Sequence, residues 1–132
     1  MGEARAETTI DRPADDVWAV VGNFGDLTWM PGIESCELDG DDRVLGMFGM
    51  RIVERLYSRD DEDRTLVYGI IEGDMKPEVH RGTITVMPAG SGSFVTWDVD
   101  TDDNLVEVMQ GAYAGALAAL KEQLEADSKV RR

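Results

Sequence analysis

An α+β fold is predicted by three features of this 132-residue chain. Six short segments of alternating hydrophobicity follow one another over residues 34–100, a helical pattern precedes them behind one further strand, and the chain ends in a long amphipathic stretch. The connections between the six segments are only a few residues long. Such strands must pair antiparallel, because parallel neighbours need a crossover of about a dozen residues or more.

Each element has a local reason. "RAETTI" reads as the first strand. In "DRPADDVWAVVGNF", Pro13 suits the start of a helix, and Asp15 and Asp16 favour the positive end of its dipole. Val17, Val20, Val21 and Phe24 share one face. Gly22 and Gly25 weaken its continuation, so "GDLTWMPGI" is predicted as a second short turn of helix before the chain becomes extended. The six strands are "ESCELD", "RVLGM", "MRIVERLY", "TLVYGIIE", "VHRGTITVM" and "SFVTWDVD", separated by turn-forming runs such as "GDD" and "PAGSG". Over residues 105–126, Leu105, Val108, Met109, Ala112, Tyr113, Ala116, Leu117, Leu120 and Leu124 recur at helical spacing.

Strand periodicity assigns faces, since alternate side chains point to opposite sides of a sheet. Met50, Ile52, Glu54 and Leu56 fall in one set, which makes Glu54 a carboxylate on an apolar wall. Leu66, Tyr68 and Ile70, then His80, Gly82, Ile84 and Val86, then Val95, Trp97 and Val99 join the same inner face, whereas Thr83, Thr85, Thr96 and Asp98 face water. Hairpin register, to within about two residues, sets Glu54 opposite Tyr68, Tyr68 near Gly82 and Ile84 near Trp97. Gly82 and the alanine- and glycine-rich residues 111–119 are expected to leave a hollow between sheet and helix.

Composition limits the function. The hydrophobic share of 42% against 30% charged residues is that of one globular domain, and no apolar run approaches the ~20 residues of a membrane span. Thirteen basic against 27 acidic residues give a net charge of −14, which disfavours nucleic acid and stable association with anionic membranes. The start shows no pattern of a secretory signal, and a lone Cys36 cannot form an internal disulfide, so a cytoplasmic location is expected. One histidine and one cysteine supply neither a metal-ligand cluster nor a nucleophile–base spacing, and no glycine loop suits a phosphate or dinucleotide. No metal and no cofactor are therefore predicted.

The run "TTIDRPADDVWAVVGNFGDLTWMPGI", the "VERL" strand followed by an acidic turn and "RTLVYGIIEGDMKP", and "VTWDVD" before a long helix resemble the polyketide cyclase/dehydrase branch of the START/SRPBCC superfamily. The likeness spans about residues 5–126, within a single domain of residues 1–132. It implies a helix-grip fold: a curved seven-stranded antiparallel sheet around the C-terminal helix, with two short helices between the first two strands and a deep apolar cavity. Such proteins bind lipids, sterols, hormones, polyketides and other small hydrophobic molecules, and some catalyse cyclisation or dehydration there. The matching strand in some members contributes a polar Arg or Glu to the pocket.

Glu54, Tyr68 and His80 are the candidate catalytic or ligand-orienting groups. A buried carboxylate needs a partner or a raised pKa, a phenol can donate to a ligand carbonyl or carboxylate, and an imidazole can exchange protons near neutrality. Glu54 has a structural alternative in pairing with Arg51, Arg55 or another neighbour. Apolar ligand contacts are predicted at Trp29, Ile33, Met47, Phe48, Ile52, Ile70, Ile84, Trp97, Met109, Tyr113 and Leu117. The "LGMFGM" hairpin places apolar groups at a turn, either gating the cavity or forming a homodimer contact. Three functions follow: a binder of a polyketide, lipid or aromatic molecule, a cyclase/dehydratase-type enzyme using the same cavity, or an acidic interaction module with a filled interior.

Overall fold

The computed structural model describes residues 1–130, with side chains through residue 126. Its elements are β1 (Gly2–Ile10), α1 (Ala14–Val21), β2 (Ile33–Asp39), β3 (Asp42–Met47), β4 (Met50–Asp60), β5 (Thr65–Gly73), β6 (His80–Ala89), β7 (Gly92–Thr101), a 3₁₀ turn (Asp103–Leu105) and α2 (Val106–Val130). The strands form one seven-stranded antiparallel sheet in the order β1-β7-β6-β5-β4-β3-β2. Bulges in β2 and at two places in the β4–β5 ladder bend it, and α2 lies along the β1–β7 end of the inner face. This is the α+β helix-grip arrangement.

Hydrogen bonds fix α2 to the edge strand. The Gln110 side chain accepts from Arg5 N at 2.9 Å and donates back to Arg5 O, and Lys121 Nζ donates to Thr9 O at 2.7 Å. Just past β1, the Arg12 side chain donates to Leu124 O at 2.9 Å, which adds a tie between the β1–α1 connection and the helix.

Only one helix separates β1 from β2. The predicted second turn of helix is instead a pair of reverse turns, with Asp26 N bonded to Asn23 O and Met30 N to Leu27 O. Asn23 Oδ1 accepts from Gly25 N and Asp26 Oδ1 from Thr28 N, and these local bonds compete with a helical ladder.

The inner face is largely as alternation predicts. Ile52, Glu54, Leu66, Tyr68, Ile70, His80, Ile84, Val86, Val95, Trp97 and Val99 are buried, and Tyr68 faces Gly82 and Ile84 faces Trp97 in register. Glu54 pairs with Ile70 rather than Tyr68, because the β4–β5 turn sets Asp60 opposite Thr65 and the bulge between Leu56 and Ser58 moves the ladder by only one residue. Thr96 is buried rather than water-facing: β7 is interior to the sheet, and Thr96 is flanked by Glu7 and Thr85. The small residues of α2 contribute to the hollow only in part, through Ala112. Gly111 and Gly115 point outward with open space around them, and Met109, Tyr113, Ala116, Leu117, Leu120 and Leu124 face the sheet. At Gly82 the room is already taken, since a Cβ there would lie 2.5 Å from Tyr68 Cε1. The glycine is the seat of the tyrosine ring.

Candidate functional site

Between the sheet, the β3–β4 hairpin and the start of α2 lies a cavity of about 130 Å³. Its walls are apolar: Leu27, Leu45, Ile52, Ile70, Trp97 and Met109 line it beside the flexible Met30, Met47, Met50 and Met75. Tyr68, Tyr113, Arg43 and Glu54 supply its polar lining.

Glu54 is held inward on β4 at 8% exposure, and its partner is Arg43 of the neighbouring strand, itself 5% exposed. Arg43 Nε and Nη2 both lie 2.8 Å from Glu54 Oε1. The guanidinium also donates through Nη1 to Phe24 O at 3.0 Å and sits 3.9 Å from the centre of the Phe24 ring. Sequence reasoning missed Arg43 and named Arg51 and Arg55 instead. Those two are exposed and bond Glu72 and Asp42 respectively. The signal was available, because Arg43 shares its alternation set with Leu45 and Met47, both of which line the cavity.

A second polar cluster joins four strand and helix residues. Trp97 Nε1 donates to Tyr68 Oη at 3.1 Å, Tyr68 Oη lies 3.0 Å from Tyr113 Oη, and Tyr113 Oη lies 3.0 Å from His80 Nε2. The pairing of β5 with β6 stops at Tyr68–Gly82, and Ile70 N donates instead to His80 Nδ1 at 3.2 Å. Trp97 and Tyr113 stack face to face with centroids 4.0 Å apart. Burial pushes both phenols above the ordinary tyrosine value, aided by the nearby Glu54 charge. Burial also lowers His80, against the smaller opposing pull of Glu54.

The remaining predicted contacts divide. Met47, Phe48, Ile52, Ile70, Trp97, Met109 and Tyr113 border the cavity together with Glu54 and Tyr68. Trp29, Ile33, His80, Ile84 and Leu117 do not border it. Trp29 is buried against Trp97 at 6.1 Å, with its Nε1 lacking an acceptor among the described residues, and His80 stands behind Tyr113. Ile84 and Leu117 are packed core, and Ile33 is a half-buried residue at the start of β2.

Phe48 is 69% exposed and closes one side. It and Gly49 form the two-residue β3–β4 turn with φ of 50° and 78°, a left-handed conformation that a bulky residue rarely adopts. The ring lies on Gly32, where a Cβ would come within 2.2 Å of Phe48 Cζ. Beyond this wall is a shallow groove of about 190 Å³ that shares Met30, Met47, Phe48 and Ala112 with the cavity.

A curved sheet gripping a long helix, with an apolar cavity between them, defines the class by architecture as a helix-grip fold. Residues 1–125 match the family model described as polyketide cyclase / dehydrase and lipid transport, and the chain belongs to that family. Among solved structures it is similar to XoxI from Bacillus cereus, at 27% identity and a TM-score of 0.87 over 93% of this chain and 95% of that one. A solution structure from Thermobifida fusca aligns at 30% identity and a TM-score of 0.82 over 93% of each chain. A START superfamily protein from Mycobacterium smegmatis shares the fold at 16% identity and a TM-score of 0.76, over 92% of this chain and 98% of that one. No curated protein matches the chain.

Proposed function

We propose that this protein binds a small hydrophobic molecule of polyketide, lipid or aromatic type in the cavity between sheet and α2. The observation that carries the proposal is the cavity itself: an apolar space with a compact polar lining, as small-molecule sites have. At about 130 Å³ it is close to the engineered cavity of about 150 Å³ that holds benzene. A larger ligand would displace the methionines and Phe48 and extend into the outer groove, with the β3–β4 hairpin as its gate. The same hairpin offers an apolar tip for a homodimer contact.

Binding is favoured over proton-transfer catalysis by the state of the candidate acids and bases. Glu54 is ion-paired with Arg43, and both nitrogens of His80 are engaged, so neither is poised as a free base. A filled interaction module is disfavoured by the open space. Among the described residues no helix is long and apolar enough to cross a membrane, which is compatible with the cytoplasmic binder proposed.

The test is mass spectrometry of the protein purified from its native host, followed by NMR titration with whatever is released. An apolar molecule that shifts Ile52, Ile70 and Met109 while leaving the exposed β2 resonances in place supports the proposal. Absence of any co-purifying molecule, with no shift at these residues from a library of small apolar compounds, overturns it.

A further inference from the structure

The buried tyrosine cluster has more protons than acceptors. Ile70 N–H points at His80 Nδ1, which must therefore offer a lone pair, and the proton of the neutral imidazole sits on Nε2. Nε2–H then donates to Tyr113 Oη. Trp97 Nε1–H donates to Tyr68 Oη. The tyrosine–tyrosine bond uses one of the two hydroxyl protons, whichever phenol supplies it. The other hydroxyl proton has no acceptor within the cluster. Both phenols border the cavity, so that is where an acceptor can approach.

We propose that the Tyr68–Tyr113 pair is a hydrogen-bond donor site for a neutral carbonyl oxygen on a compact apolar ligand, of roughly one-ring size when the hairpin is closed. This rests on the cavity being a ligand site. A carboxylate is a poorer fit, because the Arg43 charge is already matched by Glu54, whose own carboxylate borders the same space. The burial that pushes both phenols up keeps them protonated as donors across the physiological range. The opposite tautomer of His80 would satisfy all the hydroxyl protons within the cluster, but it would set two N–H groups head to head at 3.2 Å.

The test uses the intact protein and three probes of similar size: acetophenone, ethylbenzene and benzoate. NMR titration is expected to show acetophenone binding about ten- to a hundredfold more tightly than ethylbenzene, the range for satisfying a buried donor, and more tightly than benzoate. The carbonyl stretch of bound acetophenone is expected to move to lower frequency than in a hydrocarbon solvent, and the ¹⁵N shifts of His80 to report Nε2–H. Equal affinity for ketone and hydrocarbon, tighter binding of benzoate, or an Nδ1–H imidazole each overturns the donor site while leaving the cavity a ligand site. If neither acetophenone nor ethylbenzene binds, the cavity proposal falls, and the donor site with it.

Discussion

Removing Arg43 should damage this protein more than its surface chemistry suggests. Arg43 and Glu54 are 5% and 8% exposed, and both guanidinium contacts converge on one carboxylate oxygen at 2.8 Å. Arg43→Met keeps most of the apolar volume but leaves Glu54 buried without its cation and Phe24 O without its donor. Breaking a buried pair from one side costs about 3–5 kcal/mol, a large share of the ~5–15 kcal/mol that holds a domain together. For a domain of this size, at roughly 3–5 °C per kcal/mol, the melting temperature should fall by about 9–25 °C. Urea denaturation at pH 7 followed by circular dichroism measures the change. The double variant Arg43→Met/Glu54→Leu removes both charges and should recover about 2 kcal/mol, keeping the ~1–3 kcal/mol of the orphaned carbonyl. The reasoning is refuted if Arg43→Met costs less than about 1 kcal/mol, or if the double variant equals the sum of its singles to within ~0.5 kcal/mol.

Two further outcomes are expected. Gly82→Ala should cost about 1–3 kcal/mol and displace the Tyr68 ring, because the new Cβ would lie 2.5 Å from Cε1; unchanged stability and unchanged Tyr68 and Tyr113 resonances would show that the seat is not tight. His80 should titrate below the usual imidazole value of about 6.5, since burial opposes its charge more than Glu54 and Asp102 favour it. As the pH falls through ~6.5 the unfolded chain gains this proton before the native state does. The His80 contribution to stability is thus intact above ~6.5, declines toward the folded pKa and levels off below it. An NMR titration midpoint above 6.5 would contradict that sign.

Alternation alone placed Glu54, Tyr68, Ile70 and Trp97 on one face, because a period of two survives errors of register. It could not anticipate the hairpin register, in which Asp60 opposes Thr65, Leu56 opposes Tyr68 and Glu54 opposes Ile70. Register set Tyr68 beside Gly82, yet whether the ring would turn into the gap or leave it open was a matter of rotamer that alternation does not encode. The same limit applies to α2, where Gly111 and Gly115 face away from the sheet, Ala112 borders the cavity and Ala116 is buried, while Tyr113 reaches inward to His80. That contact joins residues 33 apart in sequence and depends on side-chain rotamers that no periodic pattern encodes.

The clasp between Gln110 and the backbone of Arg5 ties the beginning of the chain to its final element. One amide meets both outward main-chain groups of Arg5, and Lys121 meets Thr9 O, so the rod that roofs the interior also acts as a bumper along part of the sheet's edge. A chain lacking this helix would expose the apolar inner face and the β1 border together, so one element covers both surfaces.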